Sequence, residues 1–120
     1  MDKRLKSKKI IDKLFAEGKS YFSFPIKLVY IHLKDKDGAF GVQYSVSVSK
    51  RIFKKAVDRN RVKRQLREAI RLNVPVDPDQ QMECYVAMMF IYVGKEKLEY
   101  KTIENGINRL SPKIAKLIMQ

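Results

Sequence analysis

Residues 50–71 carry ten cationic side chains, Lys50, Arg51, Lys54, Lys55, Arg59, Arg61, Lys63, Arg64, Arg67 and Arg71, against two carboxylates, Asp58 and Glu68. Five of the ten are arginines between positions 59 and 71. A guanidinium is a planar fork that grips two phosphate oxygens at once. At about 100° per residue, Asn60, Lys63, Arg64, Arg67 and Arg71 share one side of a helix, and Val62, Leu66, Ala69, Ile70 and Asn73 share another. A helix face that meets only water usually mixes both signs for mutual support. Here Glu68 lies off the centre of the stripe, so like charges repel until a polyanion arrives. The chemistry on offer is phosphate binding. If ~6–8 phosphates are neutralised, log K falls with log salt at a slope of about −5 to −7.

Residues for bond-making chemistry are sparse. Asp77 and Asp79 stand in a loop broken by Pro75 and Pro78; the pair could bind a metal, but aspartates in such a loop more often form turns, and that is the reading taken. His32 is the one histidine and reads as a structural or surface residue. Cys84 is the one cysteine, heading an apolar run, and reads as an inert buried thiol. A single cysteine excludes an internal disulfide framework and a cysteine zinc site. No phosphate-binding glycine loop, nucleophile elbow or HExxH pattern occurs. No catalytic or metal-ligating residue is assigned to the chain.

A second binding surface is legible as a strand. Phe40, Val42, Tyr44, Val46 and Val48 alternate with Gly41, Gln43, Ser45, Ser47 and Ser49. Period two puts the apolar set on one face and a small polar set on the other. The polar face is either plain solvated surface or a trough in which a chain rich in hydrogen-bonding groups lies close. Phe15, Tyr21, Phe22, Phe24 and Tyr30 lie in or near the first basic segment. Exposed aromatics beside cations stack on unpaired bases, although most aromatics are core. Phe15 and Tyr30 are the first choices.

These surfaces need elements to hold them. Ile10, Ile11, Leu14 and Phe15 mark a short helix, capped by Ser7 and ended by Gly18. Residues 24–33 are a strand, with Pro25 at its start or at an edge. The Asp35–Gly38 turn implies that the next strand returns as an antiparallel hairpin. A long helix from Lys55 to Asn73 follows, then a strand from Glu83 to Val93 so apolar that both its faces must be covered. Glu99 to Leu110 is helical, and Ser111-Pro112 restarts a helix with serine as cap. The order is α-β-β-α-β-α, with a possible short extra strand near residues 20–24. The expected fold is α+β: a single two-layer sandwich spanning residues 1–120, one mixed sheet of about four strands with helices packed on it.

The chain has 120 residues and a formal net charge of +13. Residues 1–19 hold +4 of it and residues 50–71 hold +8, while residues 72–120 balance at zero. A merely soluble surface would spread the excess; a localised one is an electrostatic footprint. No apolar run reaches the ~18 residues of a membrane span, and the basic N-terminus lacks a signal peptide's apolar stretch. The expected setting is a reducing cytoplasm. The residues alone leave open a processing factor, a general RNA- or DNA-binding module of ribosomal type, a nuclease acting alone and an anionic-membrane binder.

The run Ser45-Val46-Ser47-Val48-Ser49-Lys50-Arg51, followed by Lys55 to Ala69, narrows the choice. Its core, Arg59-Asn60-Arg61-Val62-Lys63-Arg64-x-x-Arg67-Glu68, resembles the RNR signature of the bacterial ribonuclease P protein family. The likeness extends to Leu14–Ser20 and to the helix after Tyr100, as far as about residue 110. It departs at Ile11, where an aromatic is common, and at Phe53-Lys54, which replace a shorter glycine-containing turn. The resemblance implies a holoenzyme that hydrolyses the 5′ leader from precursor tRNA, with magnesium and the chemistry on a catalytic RNA subunit. It implies one protein per RNA, no cofactor on the protein alone, no membrane, and a left-handed βαβ crossover. RNA-subunit contacts would fall on Arg59, Asn60, Arg61, Lys63, Arg64 and Arg67, joined by Arg71, Lys54 and Lys55. A leader cleft between the first helix and the open sheet face would use Phe15, Tyr30, Ser47, Ser49, Lys50 and Arg51.

Overall fold

The computed structural model describes residues 8–34, 41–74 and 84–119. The Ser7 cap, the Asp35–Gly38 turn, Phe40, Asp77 and Asp79, and the side chain of Cys84 lie outside them. In chain order the elements are α1 (Lys8–Glu17), β1 (Lys19–Ser23), β2 (Ile26–Lys34), β3 (Gly41–Val48), α2 (Ala56–Asn73), β4 (Cys84–Tyr92) and α3 (Tyr100–Met119). The extra strand expected near residues 20–24 is β1.

The four strands form one mixed sheet in the order β1-β2-β4-β3. β1 and β4 each run antiparallel to β2, and β3 runs parallel to β4. The expected β2–β3 hairpin is therefore corrected. β3 does run opposite to β2, but β4 lies between them. Burial decides the order. On β4, Val86, Met88, Phe90 and Tyr92 join one cluster, and Ala87, Met89 and Ile91 join the cluster on the other face. A strand apolar on both faces belongs in the centre. β3, with Gln43, Ser45 and Ser47 on one face, is suited to an edge. Parallel neighbours need a crossover, and α2 supplies it.

α2 and α3 form the helical layer on one face. Val62, Leu66, Ala69 and Ile70 of α2 and Ile103, Ile107, Leu110, Ile114, Leu117 and Ile118 of α3 pack with Ile26, Leu28, Val46 and Val48. The apolar seam read from the sequence is the one buried. Asn73, at its end, makes a polar tie: its Nδ2 donates to the Ala69 carbonyl at 2.9 Å and the Glu104 carboxylate at 3.1 Å. Ser111 Oγ donates to the Asn73 carbonyl at 2.9 Å. The expected helix restart at Ser111-Pro112 is thus also corrected. α3 is continuous, with Pro112 inside it. Its buried residues continue at helical spacing across the proline, and this packing carries the helix through a position that lacks an N–H.

α1 lies on the opposite face. Leu14, fully buried, packs with Val29, Ala87 and Met89, and Ile10, Ile11, Ile31 and Ile91 flank them. Burying one leucine is worth about 1.5–3 kcal/mol, so Leu14 is the main anchor of this short helix. Gly18 lets the chain turn from α1 into β1. Its N–H donates to the Leu14 carbonyl at 2.8 Å, and a Cβ there would collide with that carbonyl and with Val29.

Candidate nucleic-acid interface

α2 presents its charge away from the sheet. Asn60, Arg61, Arg64 and Arg67 are exposed, and Lys63 is half-buried at the margin of the seam. The loop entering the helix adds Lys50, Arg51, Lys54 and Lys55, all exposed. Two members of the expected set are engaged within the protein. Arg71 donates from Nη2 and Nε to the Glu68 carboxylate, at 2.5 and 3.3 Å. Hydrogen bonding to Arg71 holds the Glu68 carboxyl below its usual range. Arg59 Nη1 donates to the Phe53 and Lys54 carbonyls at 2.8 and 3.0 Å. α2 has no side-chain cap at Lys55, and Arg59 fastens the entering loop to the helix instead.

The Phe53-Lys54 departure has a packing reason. Phe53 is buried with its ring centroid 5.8 Å from that of Tyr92. Its N–H donates to the Ser49 carbonyl at 3.1 Å, and Ser49 Oγ accepts the Arg51 N–H at 3.1 Å. Phe53 acts as a plug that shapes the loop and leaves Lys54 and Lys55 outside. Ser49 therefore lies just past β3 and holds this turn.

The other face of the sheet carries the serines of β3. Ser45 and Ser47 pair with Met89 and Ile91, and so share the face on which α1 lies. Cross-strand register sets Phe22, Lys27, Ile91 and Ser47 in one row across β1, β2, β4 and β3. Phe22 is 65% exposed and Phe15, on α1, is 59% exposed. Small polar side chains, two exposed rings and the exposed Lys27 ammonium border a surface that any unpaired strand can use. The structure places Phe15 and Ser47 on this face, with Lys50 and Arg51 in the loop that continues β3.

Tyr30 does not. Successive strand residues point to opposite faces, and Val29, not Tyr30, points toward α1. Tyr30 is buried in the core on the α3 side, with its ring stacked 5.2 Å from Tyr21. A hydrogen bond with Tyr21, reinforced by burial, pushes its hydroxyl up to about 12. The cleft assignment of Tyr30 is corrected on that ground: it slips by one residue, and one residue is one face. Lys27 shares this face without having been singled out from the sequence, and Phe22, one of the five aromatics weighed for stacking but not a first choice, lies beside it. Parity counted from the α1-facing Val29 gives Lys27, whereas Phe22, on β1, is placed only by its register with Lys27.

Among the described residues, no three His, Cys, Asp or Glu side chains come together, and no helix is long and apolar enough to cross a membrane.

Residues 1–115 match the family described as Ribonuclease P. The ribonuclease P protein component of Porphyromonas gingivalis is 36% identical over 107 residues, covering 88% of this chain and 77% of that protein. That of Clostridioides difficile is 35% identical over 109 residues, covering 90% and 88%. In fold, the chain is similar to the Staphylococcus aureus RNase P protein, with a TM-score of 0.68 at 19% identity over 98% of this chain and 99% of that one. The Thermotoga maritima RNase P protein also has a TM-score of 0.68, at 22% identity over 94% and 98%. The chain belongs to the ribonuclease P protein family, the protein subunits of the endoribonuclease that processes tRNA 5′ ends.

Proposed function

We propose that this chain works as a two-faced clamp in ribonuclease P: α2 and its entry loop hold the catalytic RNA subunit, and the groove between α1 and β3 holds the single-stranded 5′ leader of precursor tRNA. The observation that carries this reading is the exposed stripe Asn60, Arg61, Arg64 and Arg67, whose two acidic neighbours on α2 are both engaged elsewhere, Glu68 by Arg71 and Asp58 by Lys97 at 3.3 Å. The groove supports it with a lining that any base sequence can occupy, since stacking and hydroxyl contacts read no bases.

The protein's part is positional and electrostatic. Arginine forks on α2 replace counterions on the RNA subunit, and releasing those counterions drives binding. Phe15, Phe22, Ser47 and Lys27 receive the leader on the opposite face. The clamp raises affinity for leader-bearing substrate over mature product and screens phosphate repulsion between two RNAs. In this reading the divalent ions that activate water belong to the RNA subunit, one protein binds one RNA, and the cytoplasm is the setting.

The test is reconstitution with the RNA subunit at low magnesium, assayed for leader removal and for binding of precursor and mature tRNA. Arg64→Ala and Arg67→Ala are each expected to weaken RNA-subunit binding and flatten the salt slope by about one. Phe15→Ala is expected to cost precursor binding more than mature tRNA binding. An unchanged slope removes the α2 assignment, and equal affinity of the wild-type complex for precursor and mature tRNA removes the leader groove.

A further inference from the structure

The electrical balance of residues 72–120 conceals a separation. Residues 72–104 hold three basic and six acidic side chains, whereas residues 105–120 hold three basic and no acidic ones. The three are Arg109, Lys113 and Lys116, at i, i+4 and i+7 on α3, and all are exposed. α3 passes β1 in the opposite sense. Arg109 meets Ser23 and Phe24, Lys113 lies over Tyr21, and Leu117 reaches the Lys19 end. Lys19 is exposed, and no acidic residue occurs between positions 18 and 34, the stretch that forms β1 and β2.

Offsetting the helix dipole accounts for little of this. That effect fades beyond the last turn, and of the three only Lys116 lies there. A water-facing helix would intersperse acids, as the first half of α3 does with Lys101 and Glu104 at 3.6 Å. Two of the cations are also held in place. Arg109 donates from Nε to Ser23 Oγ at 3.1 Å and from Nη2 to the Phe24 carbonyl at 2.9 Å. The Lys113 ammonium sits 4.5 Å from the centroid of the Tyr21 ring. Side chains already fixed lose less freedom when a ligand binds.

The strip ends at a cavity. β1 pairs with β2 only as far as Lys19↔Tyr30, while β2 runs on to Lys34. At this step lies a cavity of about 350 Å³ lined by Glu17, Lys19, Tyr30, Ile31, His32 and Leu117. Its volume is within the small-ligand range. The Glu17 carboxylate, 3.9 Å from Lys13 and exposed, is the acidic group among the residues lining it. His32 Nε2 is enclosed and has no hydrogen-bond partner, and an orphan polar atom of this kind is what a ligand or ordered water satisfies.

We infer that this strip and cavity form a third RNA-binding surface, specific for an unpaired strand: Lys19, Arg109, Lys113 and Lys116 hold its phosphates and the cavity receives one base. It rests on the reading of the chain as an RNA binder and adds a surface distinct from both faces of the clamp. α3 borders β1 at one edge of the sheet, whereas α2 borders β3 at the other. A base held in the cavity must be free of its complement, so duplex RNA does not fit.

The test compares the full-length chain with Lys19→Gln/Lys113→Gln/Lys116→Gln, leaving Arg109 to hold its turn. Each is titrated across salt with an oligouridine and with an RNA duplex of equal charge. The variant is expected to bind oligouridine roughly tenfold more weakly, with a slope shallower by about two, since each single-strand phosphate contact contributes ~0.7. Duplex binding should change less than about twofold, and circular dichroism and melting should be unchanged. Unaltered oligouridine binding, or equal losses for strand and duplex, overturns the inference. Arg64→Ala/Arg67→Ala, titrated against the RNA subunit in parallel, keeps the two readings apart: a normal slope there removes the α2 assignment and leaves the α3 result standing.

Discussion

Single side chains on α2 divide the labour of binding. Arg64 and Arg67 are exposed, whereas Arg71 is spoken for by Glu68. Removing a cation already neutralised releases few counterions, so Arg71→Ala should flatten the salt slope less than Arg64→Ala does. Glu68→Gln should do the reverse, tightening RNA-subunit binding and steepening the slope by up to about one as Arg71 is freed. Titration across salt measures both, and equal losses for Arg71→Ala and Arg64→Ala would contradict the pairing. Because Arg71 holds the Glu68 carboxyl below its usual range, the neutralisation persists into mild acid and fades only as pH falls through that lowered value.

Tyr30 makes a complementary case at the same scale. Its hydroxyl is pushed up to about 12, chiefly by the hydrogen bond with Tyr21. An acid whose folded pKa is raised stabilises the fold below its unfolded value and loses that contribution as pH climbs through the folded one. Stability should therefore decline between about pH 10, the ordinary tyrosine value, and 12. Tyr30→Phe should lessen that decline, to which Tyr92 and Tyr100, pushed up by burial, also contribute, as read by denaturation at each pH. It should leave the ratio of precursor to mature tRNA affinity unchanged, whereas Phe15→Ala lowers it. A fallen ratio for Tyr30→Phe would return this residue to the groove.

Among the elements, α2 can carry an interface because α3 fixes its far end. The Asn73 amide bridges the Ala69 carbonyl and the Glu104 carboxylate, and its carbonyl receives Ser111 Oγ. The Asn73 hydrogen bond is the largest influence holding the Glu104 carboxyl below its usual range. Asn73→Ala should lower stability by about 1–3 kcal/mol, the cost of leaving a partly buried polar partner unsatisfied, as measured by urea denaturation. Lys101→Ala, which removes only an exposed ion pair, should cost under about 1 kcal/mol. The sequence displays the seam of α2 plainly, since five positions at helical spacing need no knowledge of their neighbours. It displays Asn73 only as the last of those five, because its partners lie on a helix some thirty residues away. Strand order is similarly hidden. The apolar run from Val86 to Tyr92 shows that β4 is covered on both faces, yet a local turn at 35–38 points to a hairpin. Long-range burial outweighs that local signal. The Tyr30 slip has the same origin, as strand parity stays undefined until one residue is seen to face α1.

Across the whole molecule, the sheet is a partition. The cationic stripe of α2 stands on one face, and Phe15, Phe22, Lys27 and Ser47 stand on the other, with the apolar core and four strands between. The summed charge of +13 draws RNA to either face, but salt screens one bound strand from the other over about 8–10 Å. Side chains on opposite faces share no partner, and energies of separated sites add to within about 0.5 kcal/mol. A cycle built from wild type, Arg64→Ala/Arg67→Ala, Phe15→Ala and the combined variant should therefore show a coupling energy below about 0.5 kcal/mol for precursor binding to the reconstituted complex. The α2 pair should lower assembly and leave the precursor preference of the assembled complex intact. Phe15→Ala should erode that preference by up to the ~1–3 kcal/mol of a lost base stack and leave assembly intact. A coupling of several kcal/mol would mean that leader and RNA subunit meet on one surface, and the sheet would then not divide the protein's two tasks.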